Sequence, residues 1–174
     1  MNLSDTTAKD EIVVRHAESN DCEEIVRLIV ELAEFEKMAD QVKMTPQILR
    51  KDCFGEKPIC SCVVASKKAD KSSLVGYSLF YPVYSTWEGA SLYMEDLYVT
   101  PSYRSSGIGK KLWQRVTQIG LDMGCSRLNL CVLGWNKMAK ELYERHGFVD
   151  LTSKEDWHLM RMDREGMEKF VQQT

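Results

Sequence analysis

The sequence predicts one α/β domain on a mixed, mostly antiparallel sheet of six or seven strands flanked by about four helices. Three observations carry this. Apolar residues alternate with period two in some stretches and recur at helical spacing in others, in the order β-α-α-β-β-β-α-β-α-β with a terminal strand. A glycine-containing loop joins the apolar run Leu92 to Val99 to the amphipathic run Leu112 to Met123. The 174 residues, 44% hydrophobic and 28% charged, suit one compact domain with a single core.

Residues 1–10 are polar and read as a flexible N-terminal segment before a domain over 11–174. Glu11 to Ala17 alternates as a first strand. Ser19-Asn20-Asp21 offers N-cap oxygens, and Ile25, Leu28, Ile29, Leu32 and Phe35 then recur at helical spacing, so a helix is expected from Cys22 to about Met38. Thr45-Pro46 opens a short helix, because proline suits the first helical position. Ser61 to Ala65 is a strand, Ser66 to Ser73 a polar hairpin loop, and Leu74 to Tyr84 a long aromatic-rich strand. Trp87-Glu88-Gly89 turns the chain into a strand from Ser91 to Val99. After the glycine loop a helix runs to Met123 and stops near Gly124. Arg127 to Leu133 reads as a strand, Asn136 to His146 as a helix closed by Gly147, and Phe148 to Leu151 and Trp157 to Met162 as the last strands.

A net charge of −3 with no lysine or arginine block gives no basis for nucleic-acid binding. No apolar run approaches the roughly 20 residues needed to cross a bilayer, and residues 1–10 lack the apolar stretch of a signal peptide. A cytoplasmic protein is the expectation. The six cysteines, Cys22, Cys53, Cys60, Cys62, Cys125 and Cys131, include no C-x-x-C pair, and the three histidines are scattered. Neither a zinc site nor metal catalysis is expected; buried reduced thiols are, with Cys60 and Cys62 on one strand face and Cys131 inside a strand.

The loop itself is Arg104-Ser105-Ser106-Gly107-Ile108-Gly109-Lys110. A helix begins with four backbone N–H groups lacking partners and with the positive end of its dipole, so such a loop can cradle phosphate. A dinucleotide fingerprint needs a glycine where Leu112 stands, and the Walker spacing is absent. A plain strand-to-helix turn that uses glycine for tightness also explains the loop taken alone.

Arg104-x-x-Gly107-x-Gly109, however, resembles the pyrophosphate loop of the GNAT superfamily of N-acetyltransferases. The order of elements, Asn136 at the start of the next helix, and Leu142-Tyr143-x-x-x-Gly147-Phe148 extend the resemblance over residues 11–163. Leu32-Ala-Glu-Phe-Glu36, Tyr84-Ser-Thr-Trp87, Tyr93-Met-Glu95-Asp96 and Glu155-Asp-Trp157 are similar to the diamine acetyltransferase subfamily. Ser85-Thr86 before Trp87 matches its thialysine branch, where the polyamine branch has Asp-Pro.

The resemblance implies a GNAT fold, acetyl-CoA as cosubstrate without a metal, a small amine as acceptor and a homodimer. Acetyl-CoA contacts would come from Leu97, Tyr98, Val99, Arg104, Ser105, Ser106, Gly107, Ile108, Gly109, Lys110, Asn136, Lys137, Met138 and Ala139. Amine contacts would come from Phe35, Glu36, Ser85, Trp87, Glu95, Asp96 and Glu155. An alkylammonium, with a pKa of about 10.4, must lose a proton before it attacks a thioester. Glu95 is the candidate base, through water, and Tyr143 the candidate acid for the departing thiolate. Strand amides would stabilise the oxyanion.

Blander readings stand beside these. Glu95 could be a solvated strand carboxylate, Tyr143 a packing partner of Ala139, and Asn136 only a helix cap. Glu31, Glu34 and Glu36 could form a solvated helix face, and Trp87 and Trp157 could serve packing or dimer contacts. Strict alternation puts Asp96 on the face opposite Glu95, whereas a bulge would bring both acids together. Two residues depart from the family pattern: Ser105, where glycine is common, and Gly134, where the branch carries an acid. A positive φ at 105 would strain serine. The competing functions are polyamine acetylation and a catalytically silent acyl-CoA-binding module.

Overall fold

The computed structural model describes residues 11–173, so the expectation for residues 1–10 lies outside the described residues. The chain divides into two compact units, the first ending at Cys131 and the second beginning at Val132.

In the first unit, strands β1 (Ile12–His16), β2 (Ser61–Lys67), β3 (Leu74–Ser85), β4 (Gly89–Val99) and β5 (Leu128–Asn129) lie side by side in that order. The first four pair antiparallel as a meander, and β5 joins β4 in parallel. A parallel return needs a crossover, supplied by helix α3 (Ile108–Asp122). Helices α1 (Cys22–Phe35) and α2 (Pro46–Phe54) cover one face: Cys22, Ile25 and Leu28 of α1 and Leu49 of α2 close on Cys62, Val64, Tyr77 and Tyr98 of the strands. Helix α3 covers the other face, where Leu92 lies against its Gly120. Val63, Val64 and Ala65 of β2 are all buried, as a strand covered on both sides requires.

The second unit holds α4 (Lys137–Arg145), α5 (Leu151–Glu155) and α6 (Arg164–Val171). Asn136 caps α4 by accepting from the Ala139 N–H at 3.3 Å, and Gly147 ends it at φ 98°.

Several expectations need correction. Among the described residues the sheet has five strands rather than six or seven, and six α-helices stand where about four were expected. The strand expected over 127–133 shrinks to Leu128–Asn129, and Cys131 lies beyond it, exposed. Phe148 to Leu151 is not a strand. The Asp150 carboxylate accepts from the Thr152 and Ser153 N–H groups at 3.1 and 3.2 Å, and that cap turns the chain into α5. Trp157 to Met162 pairs with no strand among the described residues; alternation builds a strand only where a neighbour takes up the ladder bonds. Helix α1 ends at Phe35, before Lys37 turns to φ 61°, and β2 continues through Ser66 to Lys67. Cys60 precedes β2, so it does not share a strand face with Cys62. Cys22 and Cys62 are buried and reduced; the other four thiols are free but only half-buried or exposed.

Candidate active site

Strand β4 ends at Val99 and leads through a single turn of 3-10 helix, Pro101–Tyr103, into the glycine loop. Ser105 stands at φ 60° and Gly107 at φ 81°, the latter as the N-cap of α3 with no side chain capping the helix. Two left-handed residues in three positions curl the backbone into the first turn of α3, whose leading N–H groups have no side-chain cap. Position 105 does take a positive φ, so serine bears the steric cost of that conformation. The Arg104 side chain anchors the loop rather than reaching outward. Its Nε donates to the Val99 carbonyl at 2.8 Å, and its guanidinium lies 5.2 Å from the Phe35 ring centroid and 5.4 Å from that of Tyr98. Phe35, expected at the amine, is therefore at least partly a floor for the loop arginine.

On its β3 side, β4 pairs at Leu97, Tyr98 and Val99 with Ser78, Tyr77 and Gly76. On its other side, β5 pairs only at Leu92 and Tyr93. From Met94 to Val99 the β5 edge of β4 has no ladder partner among the described residues. An open edge of this kind can take an extended amide-bearing ligand as an added strand.

A bulge decides the placement of the acids. Leu79 opposes Asp96 and Phe80 opposes Met94, leaving Glu95 as the extra residue of β4. Both carboxylates then meet tyrosines of one β3 face: Tyr81 Oη donates to Glu95 Oε2 at 2.7 Å, and Tyr77 Oη to Asp96 Oδ2 at 2.8 Å. Strict alternation, which separates Glu95 from Asp96, fails here because the added residue shifts the phase. The Asp96 carbonyl, displaced from the ladder, accepts from the Ser78 hydroxyl at 2.8 Å. Glu95 is exposed, and its Oε1 meets no donor among the described residues.

Electrostatics separates the carboxylates. Asp96 keeps part of its surface open, yet its carboxyl is enclosed, and desolvation pushes it up to about 6. The Tyr77 hydrogen bond opposes this rise, while the charges of Glu95 and Glu36 add to it. Burial also raises Glu36, which caps the C-terminus of α1. Glu36, Glu95 and Asp96 thus form an acidic group that a cation would relieve. Among the described residues no group of histidine, cysteine, aspartate and glutamate has the arrangement of a metal site.

Two expected residues of the same unit are not brought to this group. Ser85 and Trp87 stand at the β3–β4 hairpin tip, four residues and roughly 13 Å along the strand from Tyr81. The Ser85 hydroxyl accepts from the N–H groups of Trp87 and Glu88, both at 3.2 Å, so it builds the turn; Trp87 is 80% exposed. In the second unit, Tyr143 packs edge-on against Phe148 at 5.5 Å, and burial pushes its phenol up to about 12. Lys137, Met138 and Ala139 form the first turn of α4, where Ala139 gives its N–H to the Asn136 cap. Glu155 ends α5 and accepts from the Trp157 indole at 3.1 Å. Gly134 has open space around its α-carbon.

The sequence reading missed Tyr77 and Tyr81, whose hydroxyls hold the two acids. Their spacing of four on one alternating strand was a usable signal, but it required knowing which strand lies beside β4. It also left Glu31 on a solvated face, whereas its carboxylate accepts from Tyr98 at 3.2 Å and Thr100 at 3.3 Å.

Comparison with known proteins agrees with this geometry. Residues 22–148 match the family model described as the acetyltransferase (GNAT) family. A thialysine N-epsilon-acetyltransferase of Sus scrofa is 46% identical over 165 residues, covering 92% of this chain and 97% of that protein. A spermidine/spermine N(1)-acetyltransferase-like protein 1 of Homo sapiens is 39% identical over 163 residues, covering 91% of this chain but 24% of that longer protein. Among solved structures, an integron cassette protein from V. cholerae superposes with a TM-score of 0.72 at 20% identity, covering 92% of this chain and 97% of that one. Its likeness concerns the fold alone. With a family match over most of its length and a bare helix N-terminus after an open-edged strand, this chain belongs to the acetyltransferase (GNAT) family.

Proposed function

We propose that the chain transfers an acetyl group from acetyl-CoA to a primary amine of a small, thialysine-like compound, within one domain over 11–174. The observation that carries this is the bulge, which sets Glu95 and Asp96 on one face beside Glu36, in the same strand whose far end opens into the anion-receptive loop. A cationic nucleophile and a polyanionic acyl carrier would each meet complementary charge.

Members of this family use acetyl-CoA as cosubstrate. The residues here fit it: the uncapped N–H groups from Gly107 to Lys110 suit a diphosphate, and the open edge from Leu97 to Val99 suits amides. When bound, acetyl-CoA supplies the thioester carbonyl. Glu36 and Asp96 attract the ammonium, and Glu95, with Oε1 free to accept, takes its proton directly or through water. Tyr143 Oη, a phenol protonated at neutral pH and held higher still by burial, would give its proton to the leaving sulfur. Replacing Tyr143 with Phe is expected to slow turnover about tenfold or more while coenzyme A affinity holds; unchanged turnover removes Tyr143 from the mechanism.

Two relatives named thialysine N-epsilon-acetyltransferases, from Sus scrofa and Bos taurus, at 46% and 47% identity, support the acceptor class. The human relative supports polyamines as the second reading. Ser85 favours the first: it has no charge for a distant second ammonium, and its hydroxyl is engaged in the turn. Thiol release with thialysine, spermidine, putrescine and lysine in competition tests this. A preference for spermidine overturns the acceptor assignment, and coenzyme binding without turnover for any amine indicates a silent module. A homodimer and a cytoplasmic location belong to the same proposal. Among the described residues no helix is long and apolar enough to cross a membrane.

A further inference from the structure

Outside the acidic group, two thiols face each other where α2 meets β2. Cys53 lies in the last turn of α2, and Cys60 directly precedes β2. Their sulfurs are 3.0 Å apart, though seven positions separate them in sequence. The backbone already holds the two ends of this segment together. The Asp52 carbonyl accepts from the N–H groups of Ile59 at 2.8 Å and Cys60 at 3.4 Å, and the Gly55 N–H closes α2 on the Lys51 carbonyl at 3.0 Å. The loop closure that a cross-link must impose is therefore already made in the thiol form. Both residues are only half-buried, so a small reagent can reach them; Cys22 and Cys62, deeper in the same region, are buried.

We propose that Cys53 and Cys60 are a dithiol site that a small-molecule disulfide, such as oxidised glutathione, converts into an intramolecular disulfide. The thiolate of one cysteine attacks a sulfur of the reagent, forming a mixed disulfide and expelling one small thiolate. The other cysteine then attacks the protein-bound sulfur, closing the Cys53–Cys60 bond and releasing the second small thiolate. The two protons lost by the protein thiols pass to the released thiolates. The protein sulfurs are oxidised by two electrons, and the reagent is reduced to two thiols. Burial and the neighbouring sulfur hold the Cys53 thiol above the usual thiol range, so closure quickens as pH rises.

The bond would tie the end of α2 to the start of the strand beside β3. Cys53 and Phe54 pack against the cluster containing Tyr77, whose hydroxyl holds Asp96, so the bridge stiffens the wall behind the acidic group.

The test uses the full chain treated with oxidised glutathione at mildly alkaline pH, followed by intact mass, peptide mapping and melting. The expected result is a linked peptide pair containing Cys53 and Cys60, two hydrogens lighter than the two thiol peptides and with no glutathione retained at either position, and a melting temperature raised by about 5 °C. Cys53→Ser should instead retain one glutathione at Cys60 and gain no thermal stability. Stable separate adducts on both cysteines in the unsubstituted chain, a bridge through another cysteine, or no reaction at either position overturns the proposal. These readouts are independent of acetyl transfer, so they stand apart from the assignment of the acceptor.

Discussion

Strand β4 and the loop that follows it meet charge by different means. At the glycine loop, the groups that suit an anion are main-chain N–H, and what matters is a pair of left-handed backbone angles at Ser105 and Gly107. At the bulge, the groups that suit a cation are side chains: Glu95 and Asp96, held by tyrosine hydroxyls, with Glu36 beside them. A backbone site tolerates most changes of side chain and breaks when φ is disturbed. A side-chain site tolerates modest backbone change and breaks under an isosteric loss of charge. The first specifies a class of ligand, and the second can be tuned from one amine to another.

The largest expected effect comes from Glu95→Gln. It should lower kcat/KM about a hundredfold or more, most deeply at mildly acidic pH where the amine holds its proton hardest, with coenzyme affinity unchanged in calorimetry. An unaltered pH–rate profile would remove Glu95 as the base; a fall in coenzyme affinity would show that the bulge and the loop are not separable.

Asp96→Asn sharpens the contrast through stability. The folded carboxyl, at about 6, binds its proton more tightly than the unfolded one, whose ordinary value is 3.8. Ionisation therefore destabilises the fold: the cost is absent below the unfolded value, grows as pH rises through this window and is complete above the folded value. The neutral asparagine should gain about 1–2 kcal/mol at pH 7, discounted because the residue is partly open, and little at pH 3.5, while amine KM rises. Equal denaturant midpoints for the two proteins at pH 7 would contradict the burial argument.

Gly107→Ala probes the loop. A side chain at φ 81° should cost about 1 kcal/mol of stability and weaken coenzyme binding about tenfold, with kcat at saturation little changed. Smallest is Ser105→Gly, which removes strain at φ 60° and should stabilise by about 0.5–1 kcal/mol in thermal melts without loss of activity. A destabilised Ser105→Gly protein would mean that the serine has a compensating partner.

Much of this was legible before any coordinates. The path from β1 through α3 followed from apolar periodicity, and the loop from its glycines and flanking patterns. The C-terminal part was misread because Trp157 to Met162 alternates as a strand would, and alternation cannot say whether a neighbouring strand exists. Within the site, Glu95 and Asp96 were identified, but their common face was not, since one added residue on β4 against β3 inverts the phase and leaves no local mark. Ser85 was assigned to substrate, yet its hydroxyl closes a turn; a serine before a hairpin reads the same either way.

By itself, the order of residues determined the α/β class, the phosphate-type loop and the identity of the charged groups, because these rest on local periodicity, helix-end chemistry and side-chain type. Only tertiary structure decided that Glu95 and Asp96 share a face, that Tyr77 and Tyr81 hold them, that Arg104 lies against Phe35, and that Cys53 meets Cys60. Each of these depends on strand register or helix packing, which bring together residues that sequence spacing keeps apart.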